Sequence, residues 1–141
     1  MAVKEKINYI YNTMVKIVQR ENLILRQTAK EVPVAEISSA KFKKMVSDMK
    51  KALASQDDGV AIAAPQIGEL WRIFVVSGKI FAWQKGEEYA KENAFKYPDI
   101  AFINPKLTKF SREKTMMEEG CLSIRWAYGN VKRAKRASIE A

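Results

Sequence analysis

The chain has no histidine in its 141 residues and only one cysteine, Cys121. The first absence removes every imidazole ligand for a metal ion from these residues. The second excludes an intramolecular disulfide, and with it the framework of a small secreted disulfide-rich domain, so a reducing cytoplasm is the expected setting. Long apolar runs are missing as well. Between Met1 and Arg20, the residues Asn8, Asn12, Lys16 and Gln19 interrupt any signal-peptide core or membrane span, which predicts a protein neither exported nor embedded in a membrane. With 4 prolines and 6 glycines the chain is neither fibrous nor disordered, and it contains no repeat or low-complexity tract. Negative charge is also scarce: 16 acidic residues stand against 25 basic ones, for a net charge of +9. A surplus of that size attracts polyanions non-specifically. The basic residues are spread along the chain, however, apart from the run Lys132, Arg133, Lys135 and Arg136. No aromatic side chains interleave that run as a stacking platform for single strands requires. A basic soluble enzyme without specific nucleic-acid recognition is the expectation.

What remains is enough for one domain, since 48% of the residues are hydrophobic and a chain of this length buries a core without staples. Residues 1–13 precede a second methionine, Met14, and read as an N-terminal extension to a domain over 14–141. Ile17-Val18 and Leu23-Ile24-Leu25 are short apolar pieces suited to irregular structure over a core. From Ser39, itself a candidate N-cap together with Ser38, the residues Phe42, Met45, Val46, Met49 and Leu53 recur at helical spacing with lysines on the other face. The helix should end near Gln56, where Asp57-Asp58-Gly59 has turn chemistry and Gly59 suits a left-handed stop. Gly59 to Gln66 reads as an extended small-residue segment, Gly68 as a turn, and Trp71 to Val76 as a strand. The stretch 77–100 is the least legible; Glu87 to Asn93 fits either a short helix or an insertion at a hairpin tip. Ala101 to Pro105 reads as a strand, with Lys106 to Glu113 its antiparallel neighbour. Met116 to Ile124 and Val131 to Ile139 read as two further strands.

Two short stretches carry the chemistry. Glu118-Glu119-Gly120-Cys121-Leu122-Ser123 holds the one thiol, and Gly59-Val60-Ala61-Ile62-Ala63-Ala64-Pro65-Gln66 is a small-residue segment ending in a carboxamide. In this order, and joined by the Asn104-Pro105 strand, they resemble the first two signature motifs of the peptide deformylases. These are metal-dependent hydrolases that remove the formyl group from the N-terminal methionine of new bacterial proteins. The resemblance runs from Met14 to about Ile139. It implies an α+β fold of mixed and antiparallel sheets around helices. It also implies Cys121 as a thiolate ligand, and Gln66 and the backbone N–H of Leu122 as donors to the formyl oxygen. Gly59, Val60, Ala61 and Ile62 would lie beside the peptide and the methionine side chain. Gly120 would let the loop approach the ion, while Glu119 would support that loop from outside the coordination shell. Where the family usually has glycine this chain has Ala61, whose methyl would crowd a bound peptide. A lone intracellular cysteine is on base rates more often a buried small hydrophobe than a ligand, and the surrounding motif reverses that expectation for Cys121.

The family's third motif, a helical His-Glu-x-x-His that supplies two ligands and the general base, has no counterpart here. The expectation is therefore a deformylase-like chain without its C-terminal metal-binding helix. Such a chain would be inactive alone, able to self-associate through an uncovered core, and able to hold no metal. The complete family site implies a divalent ion, iron(II) first, with zinc or nickel also suited to a mixed Cys and His set. The implied partners are N-formylmethionyl peptides and the ribosome, with no membrane. An alternative is a non-catalytic binder of formyl peptides or of the ribosome on the same scaffold. A third is a partner chain that brings the histidines in trans.

Overall fold

The structure is a computed structural model and describes residues 15–141. The expected extension over residues 1–13 and its boundary at Met14 lie outside the described residues.

The central helix spans Ala40–Ala54, and the Ser39 hydroxyl accepts from the backbone N–H of Phe42 at its start, as the capping pattern predicts. It buries Phe42, Met45, Met49, Ala52 and Leu53, which the 3.6-residue period places on one face, with Val46 at the margin. Removing each of the larger side chains from water contributes about 1.5–3 kcal/mol. The Phe42 ring meets Trp71 edge-on, with centroids 5.0 Å apart. The stop differs from expectation. The left-handed glycines among the described residues are Gly68 and Gly86, not Gly59. Gly59 is required for closeness instead: a Cβ there would stand 2.9 Å from Leu53 Cδ1 and 3.1 Å from the Leu53 carbonyl oxygen.

Against the helix lies a three-stranded antiparallel sheet of β1 (Ala61–Ala63), β2 (Ile73–Val76) and β3 (Ile100–Ile103), in that order. Ile62, Ile73 and Val75 join the helix face in a single core. The first motif does not stay extended through Gln66, as its small residues had suggested. After β1 it tightens into a 3-10 turn over Ala64–Ile67, with Pro65 in the first turn and Gly68 closing it at φ 84°. Proline is pre-set for the first turn of a helix, and that preference overrides the extended reading. Between β2 and β3 the chain makes an excursion through two short helices, Lys79–Trp83 and Glu87–Asn93. Both readings of Glu87 to Asn93 therefore hold, since the helix lies in the connection between antiparallel neighbours.

The remaining strands form two ribbons. β4 (Lys106–Phe110) pairs with β7 (Ala137–Glu140), and β5 (Lys114–Cys121) with β6 (Ile124–Ala134). The expected pairing of β4 with its neighbour β3 does not form, and Asn104 shows why. Its backbone is left-handed at φ 53°, and its side chain accepts from Val32 N–H at 2.7 Å while donating to the Val32 carbonyl at 2.9 Å. The chain is thereby turned out of the sheet immediately before Pro105, which has no N–H for a ladder. The single strand expected over Val131 to Ile139 is two, parted at Lys135-Arg136, where Arg136 N–H donates to the Ser111 hydroxyl at 3.0 Å. None of the helices among the described residues is long and apolar enough to cross a membrane.

Candidate active site

The two motifs meet where the β5–β6 hairpin turns. Cys121 pairs with Ile124 across the turn Leu122-Ser123, and both turn residues are buried although no residue of β5 or β6 is. Leu122 belongs to the same core as the central helix and the three-stranded sheet. That anchor leaves Cys121 exposed beside it, so the buried small-hydrophobe role that base rates favour for a lone cysteine does not apply.

Gln66 faces Cys121 from the 3-10 turn. Its Oε1 accepts from the backbone N–H of Ala63 at 2.9 Å. Because a carboxamide has one acceptor end and one donor end, this bond directs Nε2 the other way, toward the hairpin. Nε2 lies 3.7 Å from Cys121 Sγ and donates to Ser123 Oγ at 3.2 Å. A third segment holds both motifs. Val18 N–H donates to the Gln66 carbonyl at 2.9 Å, and Gln19 Nε2 donates to the Leu122 carbonyl at 3.1 Å. Gln19 and Ser123 were not among the expected site residues. Ser123 lay within the quoted motif, whereas nothing local in the sequence marks Gln19.

A cleft of about 420 Å3 opens over this seam, with Val60, Ala61, Gln66, Gly120, Cys121 and Leu122 among its walls. Three expected residues lie off the wall. Ile62 is in the core and Gly59 packs on Leu53. Glu119 points to the ribbon, where both its oxygens accept from Arg133 at 2.8 and 2.9 Å. That hydrogen-bonded guanidinium holds the Glu119 carboxyl below its ordinary value of 4.5. Glu119 is thus tied across the ribbon to Arg133 and is not among the residues lining the cleft. Gly120 is needed for Tyr128, its cross-strand partner, since a Cβ would meet the Tyr128 ring at 2.9 Å. Glu118, within the quoted motif, and Asp58, named only for its turn, also line the cleft, together with Arg125, Trp126 and Tyr128, which the sequence did not single out.

The donor set limits what these residues do. Among the described residues no group of three or more His, Cys, Asp or Glu side chains is placed to hold a metal ion. Cys121 is one thiol, whereas a catalytic metal site takes three protein ligands and an open position. The described residues therefore do not make up a metal site by themselves. They do present an amide donor, a backbone turn and a thiol to one point in a cleft, an arrangement suited to binding a carbonyl oxygen.

A sequence model of the family described as "Polypeptide deformylase" matches residues 14–141. Two curated relatives are a peptide deformylase of Leptospira biflexa, 35% identical, and peptide deformylase 2 of Clostridium acetobutylicum, 34% identical. The matches cover 89% and 86% of this chain, and the chain spans 66% and 67% of the length of those relatives. Among solved structures, a class I type b peptide deformylase from Acinetobacter baumannii superposes with a TM-score of 0.72 at 27% identity, over 89% of this chain and 74% of that one.

Proposed function

The chain belongs to the polypeptide deformylase family, and from that premise we propose that it carries the carbonyl-oxygen donors and the thiol of an N-formylmethionyl-peptide hydrolase. The observation that carries this reading is the locked carboxamide of Gln66. With its oxygen engaged by Ala63, its amino end is a fixed donor 3.7 Å from Cys121 Sγ. A formyl oxygen seated between Gln66 Nε2 and the Leu122 N–H would displace the weaker contact to Ser123. It would then accept two hydrogen bonds that strengthen as negative charge develops on it. Val60 and Ala61 would flank the peptide. The family is metal-dependent, and Cys121 is the ligand this chain would contribute. The remaining ligands and the general base would come from residues other than those described, and iron(II), zinc or nickel each suit a mixed thiolate and imidazole set.

Binding tests this reading without requiring turnover. A formyl-methionyl tripeptide titrated into the full chain should bind, and Gln66→Leu should weaken it by about 3- to 10-fold, the net value of one neutral hydrogen bond. Equal affinity in the two proteins, or no binding to the unaltered chain, would overturn the assignment.

A further inference from the structure

At the turn of the hairpin the ladder loses its register. Gly120 faces Tyr128, but the next residue, Cys121, faces Ile124, so Arg125, Trp126 and Ala127 have no residue opposite them. This bulge stands at the mouth of the cleft. Trp126 adopts φ 66° within it, a left-handed conformation that is costly for a residue other than glycine. The side chain does not recover that cost in the core, because Trp126 is 81% exposed. Its position is nevertheless defined. The Arg125 guanidinium lies 5.1 Å from the centre of the Trp126 ring. The same guanidinium donates from Nη1 to both carboxylate oxygens of Asp58, at 3.2 and 3.3 Å. Asp58 directly precedes the first motif, so this contact ties the bulge to the segment that carries Val60 and Ala61 across the cleft.

A strained, exposed and clasped tryptophan at a cleft mouth has the geometry of a ligand platform, not of a packing residue. The cleft lining also includes the apolar Val60 and Ile124 and the Tyr128 ring, alongside the charged Asp58, Glu118 and Arg125. We propose that Trp126 is a specificity residue that stacks on the side chain following the formyl-methionine, and that the chain thereby selects peptides with an aromatic second residue. The inference rests on the formyl-peptide reading above. Trp126 lines the same cleft as Gln66 and Cys121, and one extended residue advances a peptide by about 3.5 Å. An aromatic pair adds about 0.5–1.5 kcal/mol beyond area burial, which corresponds to a preference of about 3- to 10-fold.

The test compares affinities of formyl-Met-Phe-Gly and formyl-Met-Ala-Gly for the full chain by titration calorimetry. The phenylalanine peptide is expected to bind about 3- to 10-fold more tightly. Trp126→Gly, which relieves the backbone and so keeps the hairpin folded, should bring that ratio close to one, and Trp126→Phe should retain most of it. The same preference in Trp126→Gly as in the unaltered chain, or no preference in the unaltered chain, overturns the role of Trp126 while leaving the formyl-peptide reading intact. Failure of both peptides to bind the unaltered chain removes that reading and this inference with it.

Discussion

The molecule divides into a half that is packed and a half that is paired. In the packed half, Phe42, Met49 and Leu53 of the helix, Ile62 of β1 and Val75 of β2 are all essentially inaccessible to solvent. In the paired half, the strands β4 to β7 contain no buried residue, and Leu107, Phe110, Met116 and Met117 are all exposed. Backbone ladders and ion pairs order the ribbons, whereas apolar burial orders the core. The site draws one member from each half: Gln66 from a turn on the sheet, Cys121 from the tip of a ribbon. Leu122, only 8% exposed, is the point where the ribbon is driven into the core. The position of the thiol therefore depends on core packing even though the thiol itself is exposed.

The largest expected effect separates the halves directly. Leu53→Ala removes a side chain that is 1% exposed and should destabilise the chain by about 2–5 kcal/mol. Leu107→Ala makes the same deletion at a side chain that is 57% exposed and should stay within about 0.5 kcal/mol. Urea unfolding of both variants measures the contrast, and equal losses would mean that the ribbons are covered in solution by something that buries Leu107.

Asn104 joins the halves and should show an intermediate effect. Asn104→Ala loses both hydrogen bonds to Val32 and places an alanine at φ 53°, whereas Asn104→Gly loses the bonds but not the freedom to be left-handed. The alanine variant should therefore be the less stable by about 1–2 kcal/mol, the cost of the left-handed conformation. Denaturation midpoints of the pair give this difference. Were the two equally stable, the turn at Asn104 would be held by its side-chain bonds alone.

The halves also differ in how legible they are. The helix, its cap and its buried face are written in Ser39 and the three- and four-residue spacing that follows, because both signals act within one or two turns. The motifs are legible for the same reason: the donor, the turn and the thiol each sit in a contiguous run. Pairing in the ribbons is not local. Leu107 meets Ile139, and what sends β4 there is a contact between Asn104 and Val32, 72 residues apart. The cleft mouth was hidden similarly, since Arg125 reaches Asp58 across 67 residues while its guanidinium lies beside the Trp126 ring. Glu119 drew attention as part of the cysteine motif, but its partner Arg133 looked like one member of a basic run.

The smallest effect expected lies in that pair, and it sharpens the claim that polar contacts order the ribbon. Arg133 holds the Glu119 carboxyl below its ordinary 4.5 by hydrogen bonding it, so the folded hairpin favours the ionised form. A carboxyl depressed on folding contributes stability above its unfolded value and loses that contribution as pH falls through the folded one. Both groups are solvent-exposed, where water and salt screen an ion pair, so the contribution is smaller than either effect above. The unaltered chain should therefore melt slightly above Glu119→Gln at about pH 7, and the two curves should converge as the pH falls below the ordinary 4.5 and through the lowered folded value. Added salt at neutral pH should narrow the same gap, because the pair is screened while the ladder beneath it is not. A gap that persists in acid would assign the role of Glu119 to packing across the ladder, and would place the ribbon nearer in character to the core than its exposure suggests.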